Sequence, residues 1–118
     1  MIDKVFHIPV LLDEVINALS LNKDEIYVDA TFGLGGYTKA ILNKQNCKVI
    51  GIDRDPQAKV FADNLKKNYT DRFYFKKGKF SKLGTFLKEL KIHKVAGVVF
   101  DLGVSSPQLN VKDRGFSF

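Results

Sequence analysis

The sequence has one cysteine, Cys47, no tryptophan and three prolines in 118 residues. A lone cysteine excludes an internal disulfide and gives no ligand spacing for a metal. Cys47 opens an apolar run, where a small buried apolar role is expected of it. Long hydrophobic runs are missing too. No stretch approaches the roughly 20 apolar residues that cross a bilayer, and Asp3 and Lys4 lead into mixed sequence, unlike a signal peptide. The expected location is the cytoplasm. Acidic residues are the minority charge, 13 against 19 basic, leaving a net +6. That balance suits an anionic partner such as nucleic acid, although a solvated lysine-rich surface explains it equally well. The remaining composition, 45% hydrophobic and 27% charged, describes one globular domain with a small core.

There are no repeats and no low-complexity linker. Leu11, Val15, Ala18 and Leu19 recur at helical spacing, which predicts a short amphipathic helix over 10–19. Ile26–Ala30 and Lys48–Asp53 are short apolar runs that read as strands, with a helix over 36–44 between them. Asp55 and Pro56 read as the cap and first-turn proline of a helix whose inner face is Ala58, Phe61, Ala62 and Leu65. A third strand starts at Phe73–Phe75. Ser81 is expected to cap a helix carrying Leu83, Phe86, Leu87 and Leu90 inward. Val95–Asp101 reads as a fourth strand, apolar almost throughout, as strands buried on both faces are. This alternation predicts an α/β fold with a parallel sheet and right-handed crossovers.

In such sheets ligands lie beyond the carboxyl ends of the strands, where strand order reverses. Four segments therefore matter: Asp29 to Tyr37, Asp53 to Asp55, Gly78 to Phe80 and Asp101 to Gln108. The first carries Gly33, Gly35 and Gly36, close enough together for the backbone to approach a ligand, but not in a GxGxxG pattern. Asp29 beside that turn would repel a pyrophosphate and attract a cofactor carrying a sulfonium and an ammonium, such as S-adenosylmethionine. A plain turn or cap aspartate is its structural alternative. Asp53, twenty residues after Gly33, is placed to accept hydrogen bonds from ribose hydroxyls, a signal shared by nicotinamide and methyl-donor enzymes. Phe80 can pack on an adenine ring or simply cover the core edge. Asp101 and the Ser105-Ser106-Pro107-Gln108 turn offer acceptors that can orient an exocyclic amine, a poor nucleophile whose lone pair is delocalised into its ring. Ser106 and Pro107 are candidates beside Asp101 for that role. His7 and His93 show no catalytic pattern, and His93 is expected at the surface.

These segments resemble the MraW/RsmH family of 16S ribosomal RNA cytosine-N4 methyltransferases. The likeness runs through His7–Leu12, Asp29–Gly36, Gly51–Ala58, Asp101–Leu109 and Arg114–Phe118, with the last block the most specific. It implies a Rossmann-like class I S-adenosylmethionine-dependent methyltransferase fold spanning 1–118 as an incomplete cofactor-binding domain. The sheet would be truncated after the fourth strand, and the substrate-recognition insertion and later strands would be absent. The resemblance implies S-adenosylmethionine contacts at Gly35, Gly36, Tyr37, Asp53, Phe80, Asp101 and Gln108, and the small ribosomal subunit as partner. Tyr37 stands where family members often have His, and Lys79 where a smaller or uncharged residue is common. An unpaired outer edge on the fourth strand is expected to invite self-association. Competing readings are a nicotinamide-binding fragment, which would need GxGxxG and no acid at the first tip; a non-catalytic RNA-binding module using Lys66, Lys67, Arg72, Lys76, Lys77, Lys79 and Lys82; and an inactive remnant.

Overall fold

The computed structural model describes residues 11–100 and, by backbone alone, 103–105 and 109–110. Helix α1 covers Leu11–Leu19. Strand β1 (Ile26–Asp29) leads into α2 (Gly36–Lys44), β2 (Lys48–Asp53), α3 (Ala58–Asn68) and β3 (Phe73–Lys77). A 3-10 turn at Phe80–Lys82 runs into α4 (Leu83–Glu89). Short strands follow: β4 (Lys94–Val95), β5 (Gly97–Phe100), β6 (Gly103–Ser105) and β7 (Leu109–Asn110).

The main sheet has the order β3-β2-β1-β5-β6. The pairs β1–β2, β2–β3 and β1–β5 are parallel, as the alternating pattern predicts. Side chains alternate across it. Tyr27, Val49, Phe73 and Val99 face a core closed by α1, α2 and α3. Val28, Ile50, Ile52 and Val98 face a second core closed by Leu83 and Leu87 of α4. Two faces, each covered by helices, are why these strands are apolar on both sides. Cys47 is buried in the first core, as its sequence context suggests.

Several sequence expectations need correction. The inner stripe of α1 is Val15, Ile16 and Leu19 with Leu12 partly covered, whereas Ala18 is exposed. Phe61 is not inward: α3 packs through Ala58, Ala62 and Leu65, and Phe61 lies on the flank, 38% exposed. Ser81 does not cap α4. The 3-10 turn carries the chain into the helix, and Lys82 holds the cap position with no side-chain bond. Leu83 and Leu87 are inward as expected, with Phe86 and Leu90 partly buried. Asp55 is not the N-cap: Gln57 holds that position ahead of Ala58, and Asp55 Oδ1 instead accepts from Gln57 N at 2.9 Å in the preceding turn.

The largest correction concerns the fourth strand. It divides at Ala96, whose N–H donates to Ile26 O at 2.7 Å. Val95 pairs with Leu109 in a separate two-stranded sheet, while Gly97–Phe100 joins β1. The outer side of β5 is then paired antiparallel by β6, with Val98 opposite Ser105 and Phe100 opposite Gly103. The bare edge proposed to drive self-association is therefore covered by the chain's own next segment.

Candidate functional site

The chain steps outward from β1 to β2 to β3 and then returns to the other side of β1, so strand order reverses at β1. Beyond the carboxyl ends of the strands lies a cleft of about 490 Å³, within the roughly 300–1,000 Å³ of small-molecule sites. Ala30, Thr31, Gly33, Asp53, Arg54, Gly78, Lys79 and Phe80 line it. Three of the four segments singled out from sequence thus converge here. Of the fourth only the backbone of 103–105 is described, and Asp101, Ser106, Pro107 and Gln108 lie outside the described residues.

The glycine turn is held from below and from both sides. Phe32 drops into the core, 2% exposed, with its ring stacked on Phe73 at 5.5 Å and tilted against Phe75 at 5.3 Å. Its carbonyl accepts from Gly35 N at 2.7 Å. Gly35 has φ +85, a left-handed conformation suited to glycine, and a Cβ there would come within 3.0 Å of Leu65 Cδ1. Room for Phe32 comes from Gly51 on β2, where a Cβ would lie 2.7 Å from Phe32 Cδ1. The sequence reading passed over Phe32 and Gly51. An aromatic inside a glycine-rich turn was the available signal, since such a turn needs an anchor.

Asp29 ends β1 fully buried. Its Oδ1 accepts from Thr31 N at 3.1 Å and its Oδ2 from Thr38 Oγ1 at 2.7 Å, tying the start of the turn to α2. Burial pushes its carboxyl from an ordinary 3.8 up to about 6, and the Thr38 and Thr31 hydrogen bonds offset part of that rise. Asp29 does not line the cleft. Gly35 and Gly36 form the entry of α2 and also stay out of the lining, as does Tyr37, which is partly buried against the first core.

Asp53, by contrast, opens onto the cleft, half-buried. Its Oδ2 accepts from Gly33 N at 2.8 Å and its Oδ1 from Asp55 N at 2.9 Å. Each oxygen keeps a lone pair, because a carboxylate offers about four acceptor sites. The twenty-residue spacing between Gly33 and Asp53 is thus a direct contact. Phe80 reaches the cleft from the far wall and meets the Phe100 ring edge-on at 5.4 Å. Its two sequence-level roles, facing a ligand and covering the core edge, are compatible. Gly78 between them has φ +155, and a Cβ there would lie 2.8 Å from Phe86 Cζ, so the wall is closed to side chains.

The electrostatics follow from these bonds. A phosphate-binding turn needs free backbone N–H groups aimed at the ligand. Here the N–H groups of Thr31, Gly33 and Gly35 are committed to Asp29, Asp53 and Phe32. The acceptor facing the cleft is a carboxylate, which suits hydroxyl donors or a cation. Thr31 Oγ1 is buried with no hydrogen-bond partner among the described residues, leaving one polar group in the wall unmatched. Arg54 and Lys79 flank the opening.

Three of the seven residues in the basic run considered as an RNA face, Arg72, Lys66 and Lys76, hold structure together. Arg72 Nε donates to Cys47 O at 2.9 Å, and its Nη2 to Leu42 O and Gln45 O at 2.7 and 2.6 Å, closing the end of α2. Lys66 Nζ donates to Thr70 O and Phe73 O, both at 2.7 Å, and Lys76 pairs with Glu89 at 2.9 Å.

Comparison with known proteins speaks to the family and the fold. Residues 4–118 match the model of the MraW methylase family. The chain is 51% identical over 112 residues to the ribosomal RNA small subunit methyltransferase H of Ehrlichia canis, covering 95% of this chain and 38% of that protein. It therefore spans well under half the length of that relative. Among solved structures, an rRNA methylase from Streptococcus thermophilus superposes with a TM-score of 0.60 at 19% identity, covering 80% of this chain and 53% of that one. A geranyl diphosphate methyltransferase in complex with SAM gives 0.55 at 17% identity, covering 61% and 30%. At these identities the two structures speak to the α/β methyltransferase fold.

Proposed function

The chain belongs to the MraW methylase family, and from that premise we propose that it forms the S-adenosylmethionine-binding part of an enzyme that methylates the N4 amine of a cytosine in 16S ribosomal RNA, at the decoding centre of the small subunit in the cytoplasm. The observation that carries the cofactor reading is the Asp53 carboxylate. It holds the glycine turn by Gly33 N and keeps acceptor capacity toward the cleft. We assign it the ribose hydroxyls. Phe80 offers a ring face or edge to the adenine. With the N–H groups of Thr31, Gly33 and Gly35 already bonded, a diphosphate would find fewer donors in that part of the turn. Gly35, Gly36 and Tyr37 build the turn and the start of α2 behind the cofactor, and Asp29 keeps that unit in place through Thr31 and Thr38.

When bound, the cofactor supplies an electrophilic methyl group on a sulfonium. The chain's part is to position it and to raise the nucleophilicity of the amine. Asp101, next to the end of β5, and the Ser106-Pro107-Gln108 run are assigned that second task on their sequence pattern. Acceptors near the amine's N–H groups orient its lone pair and take up developing positive charge.

Calorimetry with S-adenosylhomocysteine and with NADH tests the cofactor reading. The first is expected to bind and the second not, and Asp53→Ala should weaken S-adenosylhomocysteine about tenfold or more. Preferential binding of NADH would overturn it. Nucleoside mass spectrometry of small-subunit RNA methylated by the protein tests the target. N4-methylcytidine that disappears with Asp101→Ala is expected, and methylation at any other atom would replace the N4 assignment.

A further inference from the structure

A second cleft opens at the opposite pole of the sheet, where β1 and β2 begin. Its volume is about 330 Å³, and Ile26, Lys48, Tyr74, Leu90, Lys91, Ile92, His93 and Lys94 line it. No acidic side chain is in that lining. The ammonium groups of Lys48, Lys91 and Lys94 have no ion pair or hydrogen bond among the described residues. This separates them from Arg72, Lys66 and Lys76, whose cationic groups are consumed by the fold. Ile26, Leu90 and Ile92 supply apolar wall. Tyr74 adds an aromatic ring, one face of which is covered by Lys66 Nζ at 4.8 Å from its centroid while its hydroxyl donates to Asp71 O at 3.4 Å.

Lys91 is a second, independent observation. It follows α4 with φ +60, the left-handed position where helices favour glycine. The backbone there closes the helix by Lys91 N to Lys88 O at 3.0 Å and Ile92 N to Leu87 O at 2.8 Å. Glycine would serve that geometry with less strain, yet a lysine is present and its side chain lines the cleft.

We propose that this cleft is a phosphodiester-binding site for RNA, with Lys48, Lys91 and Lys94 holding the backbone and Tyr74 beside an unpaired base. The inference rests on the reading of the chain as an RNA methyltransferase, and deepens it by adding a contact remote from the reacting atoms. Lys48 opens β2 and Asp53 closes it, so the two clefts lie roughly 17 Å apart along the strand. A strand of RNA reaching the methyl-transfer site would thus be gripped at both poles of the sheet. A concave site with cations over an apolar, aromatic wall suits a nucleotide, which combines a charged backbone with a ring. A flat lipid surface cannot enter it.

The test uses the whole chain, a single-stranded RNA oligonucleotide of mixed sequence and S-adenosylhomocysteine. Lys91→Gly with Lys94→Ala should weaken RNA binding about tenfold at low salt and flatten the dependence of log K on log salt by about 1.4, two contacts at roughly 0.7 each for a single strand. Affinity for S-adenosylhomocysteine should be unchanged. Lys91→Gly alone should raise Tm while lowering RNA affinity, a split that a purely structural lysine would not give. Lys39→Ala with Lys44→Ala, an equal loss of exposed charge on α2, is the control and should cost less than about threefold. Equal losses in both pairs, tight binding of polyglutamate with the same lysine dependence, or no RNA binding by the parent chain would each overturn the proposal. If the lysine effects appear without any S-adenosylhomocysteine binding, the cofactor reading fails and this site stands. If the cofactor analogue binds and RNA ignores Lys91 and Lys94, the reverse holds.

Discussion

Two aspartates end neighbouring parallel strands, and the fold treats them in opposite ways. Asp29 closes β1 and is sealed, with both oxygens bonded to Thr31 and Thr38. Asp53 closes β2 and looks into the cleft. The register explains the difference. Asp29 lies opposite Gly51, so β2 runs two residues beyond β1 before it ends. With a side-chain period of two, Asp29, Gly51 and Asp53 point to the same face. The overhang lifts only Asp53 clear of the sheet, while the glycine turn folds over Asp29. One carboxylate therefore organises the turn and the other is free to meet a ligand.

The strongest way to break this comparison is to remove each acid and ask which property is lost. Asp29→Ala leaves the buried Thr38 Oγ1 and the part-buried Thr31 N without an acceptor, and should cost about 2–4 kcal/mol of stability. Asp53→Ala leaves a more exposed site and should cost about 1 kcal/mol or less, but it should abolish most of the affinity for S-adenosylhomocysteine. Urea unfolding and calorimetry on both variants check the pair. Similar stability losses for the two would mean that the burial difference carries no energetic weight.

A pH titration sharpens the contrast with a somewhat smaller effect. The Asp29 carboxyl is raised from 3.8 to about 6, so the folded state holds its proton more tightly than the unfolded chain does. Its contribution to stability is therefore fully present below about pH 4 and is lost as pH rises through about 6, after which it levels off. Two pKa units at 1.36 kcal/mol each make the loss on the order of 2–3 kcal/mol. Unfolding free energies for the parent chain and Asp29→Asn, measured from pH 4 to 7.5, should show the parent declining relative to the variant over this window. A constant difference would mean that Asp29 titrates normally.

Much of this arrangement was legible in the sequence because strand ends carry both a period change and a charge. The alternation of apolar runs gave the parallel sheet, and the switch-point rule picked out Gly33, Asp53 and Phe80, which do share one cleft. What stayed hidden depends on distances that spacing does not encode. The sequence places an acid next to the turn at Asp29, but only the two-residue overhang of β2 shows that it is buried. Arg72 reads as one more cation in a basic run. Its guanidinium instead satisfies three carbonyls at the end of α2, a contact 25 to 30 residues away in the chain. The apolar run at Val95–Phe100 reads as one strand, because nothing local announces that Ala96 will bond to Ile26 and split it. Phe61 falls at helical spacing with Ala58 and Leu65, yet α3 packs through Ala58, Ala62 and Leu65 and leaves the ring 38% exposed.

The smallest expected effect separates the two acids at the tip of β2 itself. Asp53 and Asp55 are two residues apart and both acidic, so a generic requirement for negative charge near the cleft would weigh them equally. The hydrogen bonds do not. Asp55 meets Asp53 through its backbone N–H, which any residue but proline retains, and uses its own carboxylate only to accept from Gln57 N in an exposed turn. Asp55→Ala should therefore lower stability by about 0.5–1 kcal/mol, as loss of one exposed hydrogen bond does, and leave S-adenosylhomocysteine affinity within about twofold at moderate salt, where exposed charges are screened. If instead affinity falls as far as it does for Asp53→Ala, the cleft is selecting its ligand by summed charge and not by the lone pairs of the one carboxylate that the strand overhang exposes.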